Sequence, residues 1–176
     1  MTSNYLKKHI ILTIACVVLC TFSLQSCKVN YSLTGISVGN AKSFQVNFFQ
    51  NNARLIEPGI DILFTNTLYD LIVNQTSLEP SDNNGDLVYE GEITDYRIAP
   101  MTATADQRAA QNRLTISVNV RFFNKTDEEQ NFEQNFSFFY DYGANDQLTG
   151  SIRDTALEVI YERITQDIFQ KSLANW

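Results

Sequence analysis

The sequence predicts an α+β two-layer sandwich: a four-stranded sheet with two helices on one face, in the order β-α-β-β-β-α. Two observations lead there. Four stretches alternate apolar and polar residues, the pattern of a strand buried on one face. Two others repeat apolar residues near every 3.6 positions, the pattern of a helix with one apolar stripe. A half-buried sheet and two half-buried helices satisfy one another when the helices cover the sheet's apolar face.

Ser43 to Gln50 supplies the first strand, with Phe44, Val46 and Phe48 inward and Gln45 and Asn47 outward; Asn51-Asn52 ends it. Pro58-Gly59 opens a helix, since Pro58 and Asp61 suit a first turn. Its stripe is Ile60, Leu63, Phe64, Leu68, Leu71 and Ile72, with Asp61, Thr65, Asn66 and Asp70 opposite. The stripe is expected to pack on the sheet. Ser81 to Asp86 is a loop by composition. Leu87, Tyr89, Gly91 and Ile93 form the second strand, where Gly91 marks a bulge or a close backbone approach. Asp95 to Gln111, with Pro100 and many small residues, reads as a long loop at a sheet edge.

Leu114, Ile116, Val118, Val120 and Phe122 alternate most cleanly, with Thr115, Ser117, Asn119 and Arg121 on the other face. A polar turn over Asn124 to Glu129 leads to Phe132, Phe136, Phe138 and Tyr140, so these two strands form an antiparallel hairpin. Phe139 falls on the face of Ser137 and Asp141, as an exposed apolar side chain. After a break at Gly143 to Gly150, a long terminal helix carries Ile152, Ala156, Val159, Ile160, Ile164, Ile168 and Phe169, with Glu158, Glu162, Arg163 and Lys171 opposite. Arg153 and Asp154 read as solvated, modestly paired charges, and Trp176 closes the chain.

The N-terminus has a different character. Lys7 and Lys8 precede an apolar run from Ile10 to Ser23, too short to span a bilayer, in the pattern of a secretory signal peptide. Leu24-Gln25-Ser26-Cys27 then resembles the lipobox of bacterial lipoproteins. That resemblance implies cleavage before Cys27 and a covalent N-acyl diacylglycerol on its thiol, with no other cofactor. Cys16 and Cys20 are apolar fillers of the signal. The expected organisation is a signal peptide over 1–26, a lipidated tether over 27–42 and one α+β domain over 43–176. By the sorting pattern of lipoproteins, Lys28 after the Cys implies an outer-membrane address. The lack of a following acidic pair implies a periplasm-facing one.

Charge and side-chain chemistry narrow the function. From Cys27 onward, 11 basic residues face 20 acidic ones, a net charge of −9. Sequence-blind nucleic-acid binding is a poor fit to so acidic a domain. The only His is His9, and the only Cys outside the apolar run is Cys27. The predicted mature domain therefore has no histidine base, free thiol, disulfide or His/Cys metal ligand. Carboxylate chemistry stays open: Glu90 and Glu92 share a strand face with Asp95 nearby, as a glycan hydrolase would require.

A lipobox Cys, a Tyr31/Gly35 segment, a Phe-rich first strand and a Pro58-led helix come in that order. The Leu87-Val88-Tyr89-Glu90-Gly91-Glu92-Ile93 strand running to Tyr96, the Leu114-to-Phe123 strand, the aromatic Phe136-to-Tyr140 strand and a terminal helix follow. Taken together, the chain resembles the LptE family of lipopolysaccharide-assembly lipoproteins over essentially its whole mature length. The resemblance implies a non-enzymatic plug inside the outer-membrane β-barrel LptD, which helps that barrel assemble and contacts lipopolysaccharide. It also implies basic contacts near strand ends and loops, which by location are Arg97, Arg108, Arg113, Arg121 and Lys125; Phe139 is the candidate contact with the barrel wall. The alternative is another α+β periplasmic lipoprotein, an accessory or activator of a cell-wall synthase or secretion pore.

Overall fold

A computed structural model describes residues 38–101 and 110–174. The segment expected to be a signal peptide, Cys27, most of the expected tether, Arg108 and Trp176 lie outside them. The elements are β1 (Ser43–Val46), β2 (Gln50–Asn51), α1 (Ile60–Gln75), β3 (Glu79–Pro80), β4 (Leu87–Met101), β5 (Gln111–Asn124), a 3₁₀ turn (Glu128–Gln130), β6 (Phe132–Gly143) and α2 (Gly150–Leu173). The α+β sandwich stands, but the sheet has six strands rather than four, in the order β3-β1-β4-β5-β6 with β2 also on β4. β1 runs parallel to both β3 and β4, whereas β4, β5 and β6 form an antiparallel meander.

One extra strand comes from a break in the first. Phe48 points to solvent at 56% exposure while Phe49 is fully buried, the reverse of the expected alternation. The cause is in α1: Thr65 Oγ1 accepts the Phe49 amide at 3.1 Å. That bond turns Phe49 inward, where it meets Phe64 edge-on at 5.1 Å. Thr65, placed by periodicity on the solvent side, is half-buried for this reason.

The other extra strand is the two-residue β3, which adds a short parallel edge beside β1 through Ser43 and Phe44. The long loop expected from Asp95 is strand as far as Met101, paired residue by residue with β5. Among the described residues β4 has no second neighbour beyond Ile93, so Pro100 costs no ladder bond on that side. A register slip between Ile93 and Asp95 then switches the alternation, and Tyr96 faces the helices. Gly91 marks the close approach: a Cβ there would lie 2.8 Å from Phe49 Cε1 and closer still to the Asn119 carbonyl oxygen.

Both helices cover the same face. Only the i, i+4 row of α1 is buried, namely Ile60, Phe64, Leu68 and Ile72, while Leu63 is 43% exposed. Its start is set by Gly59, whose φ of 82° is open to glycine at no steric cost. Helix α2 is turned so that Leu157, Tyr161 and Thr165 go inward and Val159 outward. Tyr161 explains the rotation. Its ring meets Phe64 edge-on at 5.2 Å, and its hydroxyl donates to the Ile60 carbonyl at 3.1 Å. At the other end of α2, Ser172 and Tyr89 share a buried hydrogen bond of 2.9 Å. Arg153 does more than sit in solvent. It bonds Glu57 at 2.6 Å and the Pro58 carbonyl at 3.3 Å, tying the first turn of α2 to the loop that starts α1.

Candidate functional site

The face of β4, β5 and β6 turned away from the helices gathers most of the residues singled out by sequence. Alternation puts the odd-numbered residues of β5 there, since its even-numbered ones are buried from Leu114 to Asn124. Pairing then builds rows across three strands: Glu90–Arg121–Glu133, Glu92–Asn119–Asn135, Asp95–Ser117–Ser137, Arg97–Thr115–Phe139 and Ala99–Arg113–Asp141.

The rows bond internally. Arg121 reaches Glu90 at 3.1 Å and Glu92 at 3.2 Å. Asn119 donates to Glu92 at 3.3 Å and Glu133 at 2.8 Å, and Asn47 donates to Glu90 at 3.3 Å. Ser117 donates to Ser137 at 3.0 Å, and Asn135 donates to Thr94 at 3.3 Å. Arg113 makes a two-pronged bond to Asp141 at 2.7 and 2.8 Å and lies 3.6 Å above the Phe139 ring. This pair shifts both partners: Asp141 holds the guanidinium above its ordinary value, and Arg113 holds the carboxyl below its own. Glu90, and then Glu92, raise Arg121 likewise.

The five candidate cations therefore divide. Arg113 and Arg121 are on the face and bonded to neighbouring strands. Arg97 is on the face with its side chain 66% exposed, and its contact to Asp95 is a loose 3.8 Å. Lys125 lies at the opposite end of the sheet, where its ammonium donates to Asn84 at 2.7 Å. Arg108 lies outside the described residues. Phe139 is on the face at 41% exposure, as its neighbours in sequence implied. The Arg113–Phe139–Asp141 unit was not foreseen, although the hairpin register would have paired Arg113 with Asp141.

Chemically the face is an array of hydrogen-bonded and ion-paired groups with two exposed aromatic rings, Phe139 among them and Phe123 at the end near Lys125. Glu90 and Glu92, the carboxylates a hydrolase would use, act as acceptors for Arg121. Among the described residues no cluster of His, Cys, Asp or Glu has the makings of a metal site, and no helix is long and apolar enough to cross a membrane.

The family model for LptE, lipopolysaccharide-assembly, matches residues 41–172. No curated protein matches the sequence. Among solved structures, the hypothetical protein CT253 from Chlamydia trachomatis is 12% identical, with a TM-score of 0.50 over 77% of this chain and 100% of that one. An uncharacterized lipoprotein B from Nitrosomonas europaea is 12% identical, with a TM-score of 0.46 over 84% of this chain and 87% of its own. The rare lipoprotein B from Shewanella oneidensis is 14% identical, with a TM-score of 0.41 over 72% of this chain and 89% of its own. At such identities the likeness to CT253 speaks for the fold alone.

Proposed function

The chain belongs to the LptE lipopolysaccharide-assembly family, and from that premise we propose that it is an outer-membrane lipoprotein that plugs the LptD barrel, helps it assemble and assists lipopolysaccharide delivery to the outer leaflet. In this reading the acyl chains on Cys27 hold the domain at the periplasmic side of the outer membrane, and the domain enters the barrel lumen. It performs no covalent chemistry.

The observation that supports the reading best is the polar face of the sheet. A plug must present a hydrated, shape-stable surface to a polar lumen. Here three long strands offer rows of side chains fixed by cross-strand bonds, backed by an apolar core closed by two helices. Among the described residues no buried side-chain polar atom lacks a partner, as a rigid body requires. Phe139 is the natural apolar contact for the barrel wall. Arg97 and Lys125, the described candidate cations not held in a two-pronged or doubly bonded pair, are the first contacts assigned to lipopolysaccharide phosphates, with Arg113 and Arg121 behind them and Arg108 outside the described residues.

A photo-activatable residue at Phe139 in cells tests the partner, and one at Arg97 tests the lipid. The expected products are a crosslink to a large outer-membrane barrel and one to lipopolysaccharide. Detergent extracts that yield no barrel with the tagged chain, together with unchanged surface lipopolysaccharide on depletion, would favour the alternative of an accessory to a cell-wall synthase or secretion pore.

A further inference from the structure

A second surface lies on the other side of the molecule. Helices α1 and α2 leave between them an open groove of about 560 Å³, lined by Leu63, Thr67, Asp154, Glu158, Tyr161 and Glu162. We infer that this groove docks a basic protein segment carrying an apolar anchor side chain.

The floor is mostly apolar and fixed. Tyr161 is buried, with its hydroxyl held by the Ile60 carbonyl. Leu63 belongs to the apolar stripe of α1 but stays exposed, because α2 packs against the Phe64 side of α1 instead. A side chain laid in the groove would cover it. The rim is of one sign. Asp154, Glu158 and Glu162 recur every four residues and so form one row along α2. Like charges at that spacing destabilise a helix by a few tenths of a kcal/mol per pair. Asp154 is partly answered by Arg153 at 3.2 Å, but Glu158 and Glu162 have no ion pair among the described residues.

Among the described residues no cation lines the groove. Of the cations of α2, Arg153 stands at the Asp154 end and is taken up by Glu57 at 2.6 Å, while Arg163 and Lys171 lie across the helix, over the Phe138 ring at 5.8 Å and the Phe132 ring at 5.9 Å. The acidic row spans about 12 Å at 1.5 Å per residue. That length suits about four residues of extended chain. An apolar floor beside Glu158 and Glu162, which have no ion pair among the described residues, matches a segment that alternates Lys or Arg with one large apolar residue. This reading does not depend on the barrel assignment, which concerns the opposite face.

The test uses the full acylated chain in detergent and a fluorescent synthetic peptide with three lysines around a central phenylalanine. Its counterpart carries glutamates in place of the lysines. Anisotropy should show saturable binding of the lysine peptide only. Glu158→Gln with Glu162→Gln should weaken it tenfold or more without lowering the melting temperature, which relief of the like-charge repulsion should raise slightly. Asp82→Asn with Glu129→Gln removes the same charge from distant loops and should leave binding within twofold. Leu63→Ser should weaken binding while leaving the charge intact. Equal binding of both peptides, or equal loss in the two double variants, would overturn the inference. So would saturation by a second copy of the chain, seen as concentration-dependent dimerisation that Glu158→Gln with Glu162→Gln abolishes.

Discussion

Replacing Gly91 by alanine should cost stability by an amount set by two neighbours. The new Cβ would fall 2.8 Å from Phe49 Cε1 and closer to the Asn119 carbonyl oxygen. That oxygen belongs to the backbone of β5, held in place by the pairing of Gly91 with Val120. Phe49 is fully buried with its ring edge-on to Phe64, so it has little room to retreat. Overpacking a core costs about 1–3 kcal/mol, and two stiff neighbours place this case near about 3 kcal/mol. For a domain of this size that lowers the melting temperature by roughly 6–12 °C. Urea unfolding followed by circular dichroism would measure it for Gly91→Ala, Phe49→Ala and the double variant. Phe49→Ala alone should cost about 3–5 kcal/mol through the cavity it leaves. In its background Gly91→Ala should cost about 1 kcal/mol less, because one of the two clashes is gone. A loss below about 0.5 kcal/mol for Gly91→Ala, the usual range of a surface change, would refute the close approach. Strict additivity would refute the role of Phe49.

Arg121→Met removes the shared partner of Glu90 and Glu92. On so exposed a face this should cost about 1 kcal/mol at low salt and less at high salt, read from paired denaturation curves. Tyr89→Phe removes the buried bond to Ser172, whose hydroxyl still donates to the Ile168 carbonyl at 2.9 Å. The expected loss is about 1 kcal/mol, and a loss above about 3 kcal/mol would mean the hydroxyl carries more than one bond. Burial, with the nearby Glu57 carboxylate second, pushes Tyr96 up to about 12. The unfolded phenol titrates near about 10. Its contribution is therefore intact below pH 10 and is lost as pH rises from there to about 12. Tyr96→Phe should flatten that part of the alkaline decline and leave the part owed to Tyr89 and Tyr161, which burial raises further.

The regular parts of the fold were legible because one face of each element is buried and the period shows it. β5 is the clearest case, with every even residue from Leu114 to Phe122 buried as its alternation implied. The failures have local causes that pattern does not carry. A single hydroxyl on Thr65 captures the Phe49 amide and shifts the inward position by one residue. A register slip after Ile93 does the same to Tyr96, hiding seven residues of strand in what read as loop. Leu63 looked buried because it lies within the helical stripe, but the width of a stripe depends on what packs beside it, and here that is set by Tyr161 on a distant helix. The polar face was foreseen as polar. Its bonding was not, since cross-strand partners depend on register, and the Asp86 carboxylate shows the same limit. It accepts the Lys42 and Ser43 amides at 2.8 and 3.1 Å, and the first of these chiefly lowers its titration. Nothing near Asp86 in sequence names those partners.

The charge pattern also constrains how a polyanion would be handled on this chain. With a formal net charge of −7 over the whole sequence, the long-range field opposes its approach. At physiological salt that field fades within about 8 Å, so contact chemistry decides. An anion that takes Arg113 must compete with Asp141, which already satisfies the guanidinium with two short, aligned bonds. At Arg121 it must displace two carboxylates whose own repulsion then returns. Arg97 asks for no such exchange, being largely exposed and only loosely held by Asp95. The sheet face thus favours brief, local contact at a few points over tight capture, as the proposed part in lipopolysaccharide delivery would require.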